Sequence, residues 1–319
     1  MAGSSVALRP ARKRLTDLER KEALSGYLYI SPWIVGFIVF TLGPMIASGY
    51  YSLTEYPLIS SAKFVGLENY ARLFQDATFW KSLGNTYYYA IIIVPVGVGG
   101  ALFCALLLNQ KIVGKSILRA TFFLPSVTPV VATTMLWMWL FNPSVGLVNY
   151  ILSLVGIKGP AWLGSTAWSK PALIIMDLWT SVGGNTMLIF LAGLQGIPGE
   201  LYEASEIDGA GSWRKLWHIT LPLLTPSIFL TMVLAVIGCL QVFSTAYVVS
   251  SGQSSVGGPS ESTLFYMLNL YRHAFMYYEM GYASALAWVF FFMVLVFTLL
   301  QIKLSRSWVY YEAGEGTGI

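Results

Sequence analysis

Charge is what this sequence has least of. Only 11% of its 319 residues are Asp, Glu, Lys or Arg, against about 25% in an ordinary soluble domain. Together with 56% hydrophobic residues and a mean hydropathy of +0.64, that shortage excludes a soluble globular domain. Cysteine is nearly absent. Cys104 and Cys239 both fall inside apolar runs, too few for a disulfide framework or a thiolate metal site. The two histidines, His218 and His273, lie far apart in sequence, which argues against a His-based metal site. No G-x-x-x-x-G-K-[ST] phosphate loop occurs, so the chain does not bind ATP by that device. The net charge of +4 comes largely from Arg9, Arg12, Lys13, Arg14, Arg20 and Lys21 near the amino end. It is no sign of a nucleic-acid partner.

What is present is a series of long apolar runs. A bilayer is crossed by roughly 20 residues of helix, and a barrel would show alternating segments instead. The fold class is therefore an all-α polytopic membrane protein. Six spans are expected, near 28–52, 86–108, 118–141, 171–193, 222–249 and 282–303. The basic tail precedes the first run, which reads as a full span and not as a signal peptide. Pro32 and Pro44 in the first span, and Pro125 and Pro129 in the third, predict kinks or breaks.

Lys and Arg set the expected orientation. With both termini in the cytoplasm, thirteen of the nineteen basic residues lie on the inner side, as the positive-inside rule requires. The domains are then a basic cytoplasmic tail 1–27, a six-helix body 28–303 and a cytoplasmic tail 304–319. The stretch "SSGQSSVGGPSES" from Ser250 to Ser262 reads as a Gly/Ser-rich loop.

One inner segment does not suit its surroundings. Residues 194–221 hold Glu200, Glu203, Glu206 and Asp208 against Arg214 and Lys215. A plain connection needs only a few residues; this one has 28. Pro198-Gly199 stops the preceding helix. Glu200 to Ile207 reads as a short helix with acid in its first turn. Gly209-Ala210-Gly211 breaks it, and Ser212 is placed to cap a second short helix, Trp213 to Ile219. Two readings are open: a solvated acidic connection, or a rigid knob offering acids and apolar side chains to a soluble partner.

The stretch "LYEASEIDGAGSWRKLWHITLPLLTPSI", Leu201 to Ile228, resembles the EAA loop of permease subunits of binding-protein-dependent ATP-binding-cassette importers. The pattern stands as Glu203-Ala204-Ser205, Asp208-Gly209-Ala210, Ile219 and Leu221-Pro222. Ser205 replaces the usual alanine and is nearly as small. "FVGLENYARLF", "FFLPSVTPVVATTMLWMWLFNPSVGLVN" and "LWTSVGGNTMLIFLAGLQGIP" are similar to the carbohydrate-uptake branch of maltose and glycerol-3-phosphate type. The likeness covers about residues 28–303.

The resemblance implies a MetI-like fold in a bacterial or archaeal cytoplasmic membrane, and a transport subunit instead of an enzyme. It also implies that the loop docks in a cleft of an ATPase, with Glu203 meeting a basic residue and Ala204 and Ser205 at close backbone approach. The implied partners are a second, similar permease in a heterodimer, an ATPase dimer that binds ATP and Mg, an extracytoplasmic sugar-binding protein, and membrane lipid. The chain itself would carry no cofactor.

Polar residues inside the spans suggest a path. At 100° per residue Asp177, Thr180, Ser181, Gly184 and Asn185 share one helix face. Ser227, Thr231, Gly238, Gln241 and Thr245 do the same in the fifth span, and Ser126, Thr133 and Trp137 in the third. Small and polar residues also serve helix packing, so both readings stand for Ser, Thr and Gly. Asp177 is the one acid within a span, a functional candidate with snorkelling as its alternative. If the cargo is a sugar, Asp177, Asn185, Gln241, Trp137, Trp179 and Tyr247 are the available hydrogen-bonding and ring-stacking groups. Gly97 and Gly100 are expected at close helix contacts. An ion-coupled secondary transporter is the competing class and would carry inverted repeats and more buried ionisable groups. A membrane enzyme would need a catalytic constellation, and none is evident.

Overall fold

The computed structural model describes residues 16–110, 112–251 and 256–310. The first fifteen residues of the basic tail, Lys111, the middle of the Gly/Ser-rich loop and the tail from 311 lie outside the described residues. The chain divides into two units, Met1–Tyr51 and Ser52–Ile319.

The first unit is one long helix, α1, over Asp17–Tyr51. It starts well before the span expected at 28, because Thr16 and Glu19 form a reciprocal capping box that satisfies two otherwise unpaired N–H groups. A π turn at Ile38–Leu42 comes just before Pro44. The widened turn absorbs the hydrogen bond that proline cannot donate.

The second unit opens with a two-stranded antiparallel ribbon, β1 Thr54–Glu55 and β2 Lys63–Phe64, in the register Thr54 to Phe64. Helix α2, Glu68–Gln75, follows, and then α3, Ala77–Asn109. Asp76 caps α3 through the Thr78 N–H. Next come α4, Lys115–Val127, and α5, Val130–Leu140, which meet at 96° around Thr128-Pro129. The third expected span is thus a sharply bent pair and not one rod. After α6, Leu147–Leu154, helices α7, Ser169–Ser181, and α8, Asn185–Gln195, form a second pair bent by 40°.

Helix α9 is Gly199–Ile207. Helix α10 starts at Ser212–Lys215, widens through a π turn at Leu216–Thr220 just before Pro222, and continues as Leu221–Leu240. Ser212 is therefore not the cap of a separate short helix. Gly211 occupies the cap, and the expected second helix of the loop is the first two turns of the span itself. Three residues break the rod before α11, Ser244–Ser251. Helices α12, Tyr266–Tyr271, and α13, Met280–Ser305, complete the chain. Among the described residues, four helices are long and apolar enough to cross a membrane, or up to six if each bent pair is one span.

Helix α3 is the hub, packing against α7, α8 and α10. Its buried positions include Ala90, Ile93, Val94, Gly97, Ala101, Ala105 and Leu108, a recurrence of three and four that fixes one face. Small residues on that face bring backbones close, which is how membrane helices gain packing without a hydrophobic driving force between them. A Cβ on Gly97 would stand 3.3 Å from Ser181 Cβ, and one on Gly100 only 2.9 Å from a Val182 methyl. The expectation for both glycines is met. Gly100→Val should lower the thermal midpoint of the solubilised chain by overpacking, a cost of about 1–3 kcal/mol. Gly99→Val points into open space and should leave the midpoint unchanged in the same fluorescence melt.

Candidate functional site

Two places carry unusual polar chemistry: the elbow between α8 and α10, and a cavity within the helices.

The elbow is tightly specified. At the end of α9 the C-cap is Asp208, and Gly209 follows with φ +73°. The Gly209 N–H donates to Glu206 O at 3.0 Å, and the Ala210 N–H reaches back to Ser205 O at 2.9 Å. These two bonds are the Schellman pattern, which satisfies the last carbonyls of a helix when the next residue is left-handed. No heavy atom lies within 4 Å of a Cβ at Gly209, so backbone conformation and not crowding asks for glycine here. Two side-chain contacts brace α9 against the start of α10. Lys215 Nζ pairs with Glu206 at 2.7 Å, and the Tyr202 and Thr220 hydroxyls meet at 3.0 Å. The hydrogen bond and charge of Lys215 hold the Glu206 carboxyl below its ordinary value. Glu203, Ala204, Asp208 and Gly209 are exposed, while Ser205 and Ala210 are partly covered. No ion pair among the described residues involves Glu203. Beside these acids stand Ile207, 88% exposed, and Trp213, 74% exposed.

The cavity gathers residues from five elements. One chamber of about 270 Å³ is lined by Ser126, Thr133 and Trp137 from α4 and α5, Asp177, Thr180 and Ser181 from α7, Asn185 from α8 and Thr245 from α11. The double glycine between α7 and α8 makes this possible. Gly183 lies against the Phe122 carbonyl, and a Cβ on Gly184 would stand 2.9 Å from Ser126 Cβ. Only residues without side chains let the two bent pairs cross there.

Asp177 does not snorkel. The Tyr89 hydroxyl donates to its Oδ2 at 2.6 Å and the Thr245 hydroxyl to its Oδ1 at 3.0 Å. Three elements are thereby joined at one carboxylate. Trp137 Nε1 is buried with no hydrogen-bond partner, and no hydrogen bond of the Asn185 side chain is formed among the described residues. The buried indole nitrogen, unpaired at a cavity wall, asks for an explanation, whereas the Asn185 amide is on an exposed residue.

Of the six residues expected along the path, Asp177, Asn185 and Trp137 share this chamber. The others do not line it. Trp179 packs edge-on against Trp137 with ring centroids 6.2 Å apart and is 58% exposed. Tyr247 stacks on Phe243 and meets Tyr271. Gln241 is the C-cap of α10, because the helix ends there and does not continue to 249 as expected. Tyr89 is the functional-looking residue that sequence reasoning missed. In "YYYAIIIV" it is one tyrosine among three, and only its helical phase singles it out.

A separate charged cluster ties α2 to the segments on either side of α12. Arg72 pairs with Glu279 at 3.0 Å, His273 with Glu279 at 2.8 Å, and Arg272 with Glu261 at 2.8 Å. Burial of the His273 ring lowers its proton affinity, against the raising influence of Glu279. Asp76 is held below the usual carboxylate range. Its partial burial acts the other way, but the Thr78 N–H and the Tyr282 hydroxyl at 2.9 Å outweigh it.

Long apolar helices around a polar, cation-free chamber, with a braced acidic elbow at one bend, define a membrane transport protein. Residues 97–309 match the family described as binding-protein-dependent transport system inner membrane component, and the chain belongs to that family. It is 42% identical over 299 residues to the probable ABC transporter permease protein YesP of Bacillus subtilis (strain 168), covering 93% of this chain and 95% of that one. It is 36% identical over 292 residues to the trehalose/maltose transport system permease protein MalF of Thermococcus litoralis, covering 91% and 97%. Among solved structures, a chain of the bacterial alginate ABC transporter in complex with an alginate pentasaccharide-bound periplasmic protein superposes with a TM-score of 0.79. The identity is 24%, over 91% of this chain and 96% of that one. That likeness supports the fold.

Proposed function

We propose that this chain is the permease subunit of an ATP-driven carbohydrate importer, with six spans and both termini in the cytoplasm. It forms half of the translocation path and takes its energy through the elbow. Family membership and the sugar-transport names of several relatives support the carbohydrate reading, among them the lactose transport system permease protein LacF of Rhizobium radiobacter. The ion-coupled alternative has no support of this kind.

The observation that carries the reading is the chamber wall. Asn185 and Trp137 Nε1 present unpaired amide and indole groups beside an aromatic face, and the wall holds no Lys, Arg or His. Sugar hydroxyls pair with such groups, and sugar ring faces pack on an indole. In the same proposal the elbow docks on an ATPase subunit. Glu203 faces a basic residue, Ala204 and Ser205 sit at close backbone approach, and Asp208, Gly209 and Ala210 set the reversal. A second permease, two ATPase chains with their ATP and Mg, and an extracytoplasmic sugar-binding protein complete the assembly.

Proteoliposomes containing that assembly should accumulate a radiolabelled neutral oligosaccharide only with internal ATP and external binding protein. Accumulation driven by an ion gradient without ATP would replace this reading with the secondary-transporter one.

A further inference from the structure

Asp177 and Thr245 both line two chambers of the cavity, and a side-chain hydrogen bond joins them across two helices. Beyond the Trp137 chamber lies a second, of about 350 Å³, lined by Tyr89, Ile93, Gly97, Cys239 and Phe243. The two chambers use different walls. Most of the first chamber's own lining comes from α4 and α5, and most of the second's from α3 and α10, with α7, α8 and α11 contributing to both. What they have in common is Val130, Asp177, Thr180, Ser181, Thr186 and Thr245, of which Asp177 and Thr245 are bonded to each other through their side chains. The hydrogen bond from the Thr245 hydroxyl to Asp177 Oδ1 at 3.0 Å runs between them.

We infer that the Asp177–Thr245 hydrogen bond is a partition in the transport path, separating two chambers, and that Tyr89 positions the carboxylate that holds it. The inference rests on the proposed path through this chain. Thr245 stands on the first turn of α11, directly after the break at 241–243. A helix that restarts after a break can move without bending the long rod before it. The Tyr89 bond to Oδ2, at 2.6 Å, is the shorter of the two and comes from the hub helix. It keeps Asp177 in place while Thr245 leaves.

The chemistry of opening is an exchange. A carboxylate in a low-dielectric site cannot stay half-solvated at small cost. The vacated Oδ1 therefore needs another donor, and a cargo hydroxyl replaces a threonine hydroxyl like for like. An anionic group offers no proton and meets a like charge, so it cannot make the exchange. Asp177 and Thr245 are positioning residues here, and a hydroxyl-bearing cargo opens the partition.

The chain contains its own reporter. Cys239 lines the second chamber and is only 8% exposed. The test uses the full chain in lipid nanodiscs, treated with a charged methanethiosulfonate, with the Cys239 adduct quantified by peptide mass spectrometry. Thr245→Val keeps the shape and removes the hydroxyl. It should speed labelling of Cys239 by about tenfold or more, the scale expected when one hydrogen bond to a charged group is lost. Thr245→Ser should restore the parent rate. If valine prevents assembly, Thr245→Ala makes the same test.

Unchanged labelling in the hydroxyl-free variants overturns the partition. So does equal acceleration in Thr245→Ser, which would mark general loosening. Rapid labelling of the parent chain overturns it too, since nothing would then be sealed. None of these readouts depends on transport. A chain that labels as expected but imports no sugar would leave the partition standing and remove the carbohydrate reading.

Discussion

Gly209→Val should abolish ATP-driven uptake in the proposed importer once reconstituted, while membrane insertion and pairing with the proposed second permease should persist. The expectation follows from one dihedral angle. Gly209 holds φ +73° with open space around it. A β-branched residue in the left-handed region costs about 1–2 kcal/mol, and the helix can escape that strain only by undoing the two bonds that close α9. The elbow would then loosen where the proposed coupling passes its displacement, and a loosened joint absorbs motion that a stiff helix transmits.

Three comparisons isolate the cause. Gly209→Asn should retain much of the uptake, because asparagine tolerates the left-handed region. Gly199→Ala, a position with neither a positive φ nor a close neighbour, should be silent. Glu203→Ala leaves the backbone alone and removes the exposed acid. It should reduce coupled uptake more than about tenfold if the acid meets a desolvated base on the ATPase. The measurement is the ratio of transport to ATP hydrolysis at matched assembly. Normal ratios for both Gly209→Val and Glu203→Ala would end the coupling proposal.

The elbow was the most legible part of the sequence because its physics is local. Acid in the first turn, glycine after the last, and a proline before the start each act within four residues, so α9 falls almost where the residues place it. The restart at Ser212 was misread for a related reason. Serine is a good cap, but the π turn ahead of Pro222 lets the helix run on unbroken into the span, and a proline in the sequence does not by itself tell such a turn from a helix start. The cavity was half legible. Helical phase gathered Asp177, Thr180, Ser181 and Asn185 on one face. It failed at Gln241, which is the cap where α10 ends and helical backbone angles stop, so helical phase no longer fixes its direction. It also gave no reason to choose Tyr89 from three adjacent tyrosines. That choice is made by α3 packing on α7, a tertiary fact.

The same break separates two amides that the sequence ranks together, and their expected behaviour now differs. Asn185 opens onto the Trp137 chamber at the start of α8, with its side-chain amide unpaired. Gln241 caps α10 and lines neither chamber. Asn185→Leu should raise the KM for uptake of the transported sugar by about tenfold, the worth of one good hydrogen bond to a polar ligand. Basal ATP hydrolysis of the assembled complex should be unchanged, because α9 and its braces are untouched. Gln241→Leu should alter neither quantity by more than about twofold. Uptake titrations with sugars that lack one hydroxyl each would sharpen the contrast. The sugar whose missing hydroxyl meets Asn185 should show no further loss in the leucine variant, while every other deoxy sugar loses affinity in both backgrounds. Equal sensitivity of the parent and Asn185→Leu to all deoxy sugars would return Asn185 to a packing role. It would leave Trp137 and Asp177 as the groups in this chamber that meet the cargo.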